Sequence, residues 1–368
     1  MIHQQVLNLL NRPQMVQRTE EWFLARKTRI TASEVGSILG VNPYKSRNKY
    51  WIEKKCQLSN IPLERKGTFT TEHGVKYEPV IQQMIRQQYK TIYVDEDQKP
   101  KDPLYEFGLI PHPTIPFLGA SPDGILYNGR MVEIKCVVNR EILENEVVPY
   151  YYAQVQTQLE CCGLDECEFT ECKIIEYRNM NDFLLDSNIE SNIESNIETN
   201  IETNIESNNT NINIWKSAFG KMKGIVIQKQ CNEYVYIDEL TIDSKNLPQN
   251  ESDLKYYLSQ FNSKNIYYWY CNLFSMKLIK RNQEYINKMI ETCGLFWDTL
   301  LKETNNDLKS EDDVKQIVPN MNYIHKPFYF ENFVKDNLFI KNSKKKTMEE
   351  PIDGSVKQKK QFMFKSFN

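Results

Sequence analysis

The chain has 368 residues, of which 40% are hydrophobic and 26% are charged, and its formal net charge is −3. This is enough for one large domain or two ordinary ones with a sizeable core, and the charge excludes a protein that binds nucleic acid through a basic surface spread over the whole chain. The sequence contains no run of 18 apolar residues and no secretory signal pattern, so it predicts no membrane span. Nine scattered cysteines do not form the pattern of a secreted disulfide framework, and we expect a reducing, intracellular location.

The first 185 residues alternate between helical and strand patterns. Helices are predicted at about 32–39, 46–57, 72–89 and 149–162, and strands at about 105–110, 117–126, 131–138 and 166–177. This alternation predicts an α/β fold in which helices flank a mixed central sheet.

A tandem tetrapeptide repeat follows this region. Residues 187–206 read SNIE three times and then TNIE twice. A period of four drifts against the 3.6-residue turn of a helix, and in a strand it makes only half of the inward positions apolar. We therefore predict a low-complexity, disordered insertion over residues 186–213, with no catalytic role.

Ordered patterns return beyond the repeat. They are a hairpin-like pair at 224–229 and 234–240, an aromatic strand near 266–278 and an amphipathic helix at 282–302. We expect residues 214–303 to complete the domain begun by residues 1–185, because that first part offers few strands for a stable sheet. The alternative is a separate domain.

The last part of the sequence, residues 304–368, is predicted to be a basic, partly disordered tail. Between residues 335 and 368 nine lysines stand against four acidic residues. Such a tail either binds polyanions or is merely solvated, and we favour the second interpretation.

The segment most suggestive of chemistry is FLGASPDGILYNGRMVEIKCVV at 117–138. Its Asn-Gly pair predicts a tight turn between two strands. If the loop has three residues and Gly129 is left-handed, Asp123 lies opposite Glu133, whereas a two-residue loop would place Asp123 opposite Ile134. We adopt the first register, which brings two carboxylates within metal-bridging distance.

Two carboxylates and a neighbouring carbonyl suit Mg²⁺ that retains several water molecules. We predict that Asp123, Glu133 and the carbonyl of Ile134 bind this ion, and that Mn²⁺ can substitute for it. Glu133 and Lys135 are two positions apart on one strand and point to the same face. Lys135 can orient or deprotonate an attacking water and offset phosphate charge. The alternative is an ordinary hairpin with a Glu–Lys pair at its edge.

The SPDG and EIKC segments resemble the PD-(D/E)XK nuclease signature, and three further blocks are similar to the lambda-exonuclease family, also called YqaJ-type viral recombinases. These blocks are W-x3-R-x3-ITASEV at 22–35, G-x3-EP at 74–79 and Y-x-AQ-x-Q at 151–156. The resemblance covers residues 22–160 and implies a restriction-endonuclease-like fold. It also implies a magnesium-dependent deoxyribonuclease that degrades double-stranded DNA from 5′ to 3′ and leaves 3′ single strands for recombination.

The resemblance assigns further residues. The family counterparts of Arg26 and Ser33 hold the 5′-terminal phosphate of DNA, and the TASE sequence independently predicts a capped helix start with Ser33 in the first turn, where free amides favour an anion. The matching Glu78 would assist metal or water binding. The matching Gln154 would lie beside the catalytic Lys135 and help to place the nucleophile.

The family further implies double-stranded DNA ends as the substrate, and it allows a homo-oligomer and a single-strand annealing protein as a partner. Two rivals remain: a related endonuclease or RecB-like nuclease of different polarity, and a non-catalytic DNA-binding or assembly protein. The intact Asp-Glu-Lys set argues against the second. The repeats and the Asn/Lys/Ile-rich composition suggest an AT-rich genome, and the resemblance suggests a large DNA virus or phage. We accordingly expect action in a host cytoplasm or at a viral replication site.

Overall fold

The computed structural model describes residues 1–13, 15–63, 67–96, 98–144, 146–190, 211–302, 308–321 and 338–339. The helices in these ranges are α1 (Gln4–Leu10), α2 (Glu20–Lys27), α3 (Ala32–Ile38), α4 (Arg47–Leu58), α5 (Phe69–Tyr89), α6 (Pro149–Cys162), α7 (Met180–Leu185), α8 (Glu251–Ser259), α9 (Gln283–Lys302) and α10 (Glu311–Gln316). The strands are β1 (Ile30–Thr31), β2 (Leu104–Tyr105), β3 (Ile110–Pro111), β4 (Leu118–Ala120), β5 (Gly124–Leu126), β6 (Met131–Cys136), β7 (Glu166–Tyr177), β8 (Asn188–Glu190), β9 (Asn211–Asn213), β10 (Lys223–Lys229), β11 (Tyr234–Ile237), β12 (Ser263–Lys280) and β13 (Leu338–Phe339). Among the described helices, none combines the length and the apolar character needed to cross a bilayer.

One large mixed sheet organises the molecule, with strand order β11-β10-β12-β7-β6-β5-β2. β6 and β7 are parallel, whereas β5 runs antiparallel to β6 and β12 runs antiparallel to β7. Helix α5 packs on one face, and α3, α6 and α9 pack on the other. This architecture confirms the predicted α/β fold class with a mixed central sheet flanked by helices.

Alternation along β6 decides which residues reach each face. Val132 and Ile134 pack in the hydrophobic cluster beneath α5, while Met131 packs in the core around α6. Glu133 and Lys135 share the parity of Met131, so both side chains face α6. The sequence pattern predicted this division.

The region before β6 differs from the prediction. The strand predicted at 105–110 is two short strands, β2 and β3, and the strand predicted at 117–126 is divided into β4 and β5. β3 and β4 form a small sheet with β1, while β2 and β5 belong to the large sheet. Pro122 has no N–H to give to a ladder, which favours a break at this point. Asp123 consequently stands where the chain enters the large sheet.

Strands beyond the repeat extend this same sheet, since β12 pairs with β7 and β10 pairs with β12. Buried Lys223 at the start of β10 donates to the carbonyl oxygens of Phe183 and Asp186, the latter at 2.5 Å. Burial lowers the pKa of Lys223 to about 8, although the charge of Asp186 acts in the opposite direction. The chain just before the repeat is thereby fixed to the sheet.

The predicted insertion at 186–213 lies only partly within the described residues. Its two ends form the short antiparallel strands β8 and β9 where the sequence predicts disorder, and residues 191–210 lie outside the described part. Of the predicted tail at 304–368, residues 308–321 are described, and Val314 and Met321 pack into the main core. The proposed division of the chain into domains stays a prediction.

The turn between β5 and β6 has the predicted form. The Leu126 N–H donates to the Arg130 carbonyl at 2.8 Å, and the Gly129 N–H donates to the Leu126 carbonyl at 2.9 Å. Gly129 has a φ of +86°, in the left-handed region. The resulting pairing of β5 with β6, continued by one position, places Asp123 opposite Glu133, which is the predicted register.

Helix α1 supports this turn, although the sequence pattern did not predict the helix. The His3 N–H donates to the Tyr127 carbonyl at 2.7 Å. A Cβ atom added at Gly129 would lie 2.7 Å from the His3 ring. The first residues of the chain therefore pack directly on the turn that sets the register.

We expect Gly129→Ala to lower the free energy of unfolding more than Gly220→Ala does. Both glycines have positive φ, 86° and 70°, so each substitution carries a backbone cost of about 1–2 kcal/mol. A Cβ at Gly220 has no atom within 4 Å, whereas one at Gly129 meets His3. Urea denaturation measures both losses. In a His3→Ala background, Gly129→Ala should lower the free energy of unfolding no more than Gly220→Ala does. If the loss at Gly129 stays as large as before, the packing of His3 on the turn is contradicted.

Candidate active site

Two carboxylates lie side by side where β5 begins. Glu133 is buried, with 1% of its surface exposed, and Asp123 is half-buried. The Ile134 N–H donates to Asp123 Oδ2 at 2.6 Å. The N–H and C=O of a strand residue point to the same side of the strand. The Ile134 carbonyl therefore points, like the Ile134 N–H, from β6 toward the side on which Asp123 lies. The structure thus brings together the three groups predicted to bind a metal.

Three donors hold the Glu133 carboxylate in place. Lys135 Nζ forms an ion pair with Oε1, Gln154 Nε2 donates to Oε1 at 2.5 Å, and Gln158 Nε2 donates to Oε2 at 2.7 Å. Gln154 therefore lies beside Lys135, as the resemblance implies. The sequence analysis gave no role to Gln158, although its spacing of four residues from Gln154 places both amides on one face of α6.

Lys135 is a charged group in this arrangement. Burial alone would lower the pKa of its ammonium group, but the carboxylates of Glu133 and Asp123 raise the pKa above its ordinary value. The Nζ atom also lies 4.8 Å from the centroid of the Tyr151 ring. Its position relative to Glu133 suits a cation that orients a ligand and offsets negative charge.

Further negative charge lies near Glu133, on Asp123 and Glu78. Burial, Glu133 and Glu78 together raise the pKa of Asp123 well above its usual range. Burial also raises the pKa of Glu78, against the influence of Arg18. The ionisation of Asp123 and of Glu78 is therefore disfavoured in the metal-free protein, which is the electrostatic setting that a bound cation relieves.

The donor set fits a hard divalent ion. Within the part of the chain that the structure describes, no three His, Cys, Asp or Glu side chains form a group able to hold a metal by themselves. An ion here therefore needs the Ile134 carbonyl and water in addition to Asp123 and Glu133. Mg²⁺ is bound in proteins in this manner, through one or two carboxylates and several retained water molecules.

A cleft of about 390 Å³ opens beside the acids and is lined by Glu78, Asp123 and Gln82, among others. Gln82 Nε2 donates to the Asp123 carbonyl at 3.0 Å. Helix α5 thus supports the first acid through Gln82 and contributes the further acid, Glu78, to the same cleft.

The residues predicted to bind a terminal phosphate lie close together. Arg26 Nη2 donates to Thr31 Oγ1 at 3.2 Å, and Thr31 Oγ1 lies 3.5 Å from Ser33 Oγ. Ser33 is exposed. Thr31, to which the sequence analysis gave only a helix-capping role, therefore links the two predicted side chains.

This second group connects directly to the acids. The Arg26 guanidinium carbon lies 4.3 Å from the centroid of the Trp22 ring. Trp22 Nε1 donates to Ser121 Oγ at 3.2 Å. Since Ser121 is two residues before Asp123, the Arg26 group and the carboxylates are positioned by one continuous set of contacts.

Buried Lys54 supports the backbone around Arg26. Lys54 Nζ donates to the Arg29 carbonyl at 2.7 Å and to the Arg26 carbonyl at 3.2 Å, and it lies 3.4 Å from Glu34 Oε2. Glu34 accepts a hydrogen bond from the Thr31 N–H at 3.0 Å, which confirms the predicted capping box. Burial would raise the pKa of Glu34, but Lys54 and the Thr31 amide lower it overall.

Part of the chain matches a known family model. Residues 21–165 match the model of the YqaJ-like viral recombinase domain, which confirms the predicted resemblance. The uncharacterized protein R354 of Acanthamoeba polyphaga mimivirus is 28% identical over 320 residues, which cover 78% of this chain and 53% of that protein. The chain therefore spans about half the length of this relative.

Two solved structures are also similar. One is an alkaline exonuclease, LHK-Exo, from Laribacter hongkongensis, and the other is LHK-Exo in complex with dAMP. Each is 19% identical, with a TM-score of 0.41 and coverage of 81% of this chain and 97% of the other.

We expect Asp123→Asn to stabilise the metal-free protein. Asn can still accept the hydrogen bond from the Ile134 N–H, while the charge that opposes Glu133 and Glu78 is removed. The folded state holds the Asp123 proton to a higher pH than the unfolded state does, so Asp123 destabilises the wild type progressively as pH rises above about 4. The advantage of Asn should grow over that range, by about 1.4 kcal/mol for each unit by which the pKa is raised.

Chemical denaturation with a chelator at several pH values measures this difference, with exposed Asp298→Asn as the control. Saturating Mg²⁺ should raise the unfolding midpoint of the wild type much more than that of Asp123→Asn, because a ligand stabilises only the state that binds it. Destabilisation by Asn, or equal effects of Mg²⁺ on both proteins, would contradict this description of the site.

Proposed function

We propose that this protein is a metal-dependent deoxyribonuclease that hydrolyses phosphodiester bonds at Asp123, Glu133 and Lys135. The observation that carries the proposal is the placement of these three side chains together where the chain enters β5 beside β6, within the segment that matches a viral recombinase domain. Two oxygen ligands beside a fixed cation suit the transfer of a phosphoryl group, in which negative charge develops on oxygen atoms.

In this proposal Asp123, Glu133 and the Ile134 carbonyl hold Mg²⁺, with Mn²⁺ able to replace it, and Glu78 contributes through water. The bound ion supplies Lewis-acid activation of the phosphate and of the attacking water. The protein contributes the rigid position of these ligands, since the Ile134 amide fixes Asp123 and two glutamine amides fix Glu133.

Lys135 orients the attacking water and offsets the charge of the phosphate. Its ion pair with Glu133 keeps the ammonium group protonated, so we assign it electrostatic positioning in preference to proton abstraction. Gln154 donates to the same Glu133 oxygen as Lys135 does and helps to place the nucleophile.

We further propose 5′→3′ exonuclease action on double-stranded DNA that leaves 3′ single strands for recombination or DNA processing. The feature unique to a phosphorylated 5′ end is its terminal dianion, and Arg26 and Ser33 offer a guanidinium and a hydroxyl next to each other. The match of residues 21–165 to a viral recombinase domain supports this choice of activity. A homo-oligomer, a single-strand annealing partner and a site of action within an infected cell belong to the same proposal.

The catalytic assignment predicts that Glu133→Gln and Lys135→Met each lower the rate of DNA cleavage in Mg²⁺ by about a thousandfold or more, since such groups supply several kcal/mol at the transition state. Release of acid-soluble nucleotides from linear duplex DNA measures the rate. The control is Glu233→Gln, which removes an exposed acid far along the chain. Wild-type rates from either folded active-site variant would exclude the assignment.

The polarity predicts that Arg26→Ala slows digestion of 5′-phosphorylated duplexes by about tenfold to a hundredfold, because a charge-assisted contact contributes about 1.5–3 kcal/mol. Digestion of 5′-hydroxyl duplexes should change little. End-labelled duplexes of both kinds give the rates, with exposed Arg178→Ala as the control. Equal slowing on both substrates would assign Arg26 to general DNA docking, and digestion from 3′ ends or internal cuts would favour the rival nucleases.

A further inference from the structure

We propose that Arg18 binds a backbone phosphate of the DNA next to the phosphate that is cut, from the cleft that it lines together with Glu78. This proposal rests on the proposed nuclease function and adds a contact that neither the sequence motifs nor the family resemblance assigns. Three observations carry it: the backbone conformation of Arg18, its position in the cleft, and the lack of a hydrogen bond or ion pair from its guanidinium group within the described residues.

The backbone of Arg18 is held in an unfavourable conformation. Its φ is +67°, a left-handed value that costs free energy for residues other than glycine. Neighbouring contacts enforce this turn: Thr19 Oγ1 donates to the Val16 carbonyl at 2.8 Å, and Gln17 Nε2 donates to the Phe107 carbonyl at 2.9 Å. Such conformations cluster at functional sites, where the position of a side chain matters more than the cost.

The same turn is fixed relative to the acids. Gln17 Nε2 also lies 3.5 Å from the carbonyl of Pro122, the residue that precedes Asp123. Arg18 itself is exposed and lines the cleft of about 390 Å³ together with Glu78 and Asp123. A strand that follows this cleft with its scissile phosphate at Asp123 would pass this side chain.

The guanidinium group of Arg18 has donors to offer. Across the ranges that the structure describes, we find no hydrogen bond from this group and no ion pair within 4 Å. It influences Glu78 through space, but a metal ion bound by the neighbouring acids would satisfy their charge and leave the guanidinium for the substrate. Arginine presents a planar fork of donors that matches two oxygens of a phosphate.

The stability of Arg18→Gly distinguishes a DNA-binding role of Arg18 from a purely structural one. If the side chain matters only to the fold, Arg18→Gly should destabilise the protein. If its conformation is maintained for DNA, glycine removes the contact and at the same time relaxes the left-handed backbone, so stability in saturating Ca²⁺, where the acids do not need Arg18 as a counter-ion, should be unchanged or higher while affinity for DNA falls.

The test measures the dissociation constant of a 5′-phosphorylated duplex over a range of salt concentrations, with Ca²⁺ in place of Mg²⁺. Arg18→Gly should raise the dissociation constant about tenfold and flatten the plot of log K against log[salt] by about 0.9, the value for one lost phosphate contact. Gln98→Gly, at another left-handed position (φ +62°), controls for the backbone. Lys255→Gln, at an exposed lysine, controls for the loss of one positive charge.

An unchanged salt dependence in Arg18→Gly would overturn the proposal, because loss of affinity without loss of a phosphate contact would make Arg18 a counter-ion of Glu78. Destabilisation of Arg18→Gly relative to the wild type in saturating Ca²⁺ would overturn it as well. Failure of the wild type itself to bind and cut DNA would instead overturn the proposed function, so the two failures are distinguishable.

Discussion

The pairing of β5 with β6 is the constraint on which the rest of the site depends. The left-handed Gly129 sets this register, and the register places Asp123 opposite Glu133. Because side chains alternate along a strand, a shift of one residue would turn the carboxylates away from each other. Helix α1 packs on the turn through His3 and leaves no room for a side chain there, so the N-terminal residues of the chain protect the geometry of the site.

The acids brought together in this way are electrostatically unfavourable in the metal-free protein. Burial and mutual repulsion raise the pKa of Asp123 and of Glu78, and Lys135 neutralises only part of this charge. The Gln154 and Gln158 amides donate hydrogen bonds to the Glu133 carboxylate and hold it in position. The folded protein is therefore less stable than it would be without these acids, but its oxygen ligands are already in position. This is a common compromise between stability and function.

Local signals in the sequence predicted the strand pairing that places Asp123 opposite Glu133, because turn chemistry and strand alternation act over a few residues. The Asn-Gly turn gave the register, and the order of elements gave the α/β fold. Contacts between distant segments left weaker signals: nothing in the sequence predicts that buried Lys54 supports the Arg26 backbone or that Trp22 reaches Ser121. The break of the predicted strand at 117–126 was missed because its flanks are apolar and Pro122 between them, which cannot donate to a strand ladder, was not taken as the end of a strand.

The position of the metal tests the central claim most directly. Crystals of the protein equilibrated with Mn²⁺ should give an anomalous difference peak bounded by the carboxylates of Asp123 and Glu133 and by the carbonyl of Ile134, at distances of about 2.0–2.3 Å for an octahedral oxygen site. The same crystals of Asp123→Asn should show a weaker peak or none. A fully occupied Mn²⁺ site elsewhere, with the hydrogen bond from Ile134 to Asp123 unchanged and no density between the two acids, would contradict the account.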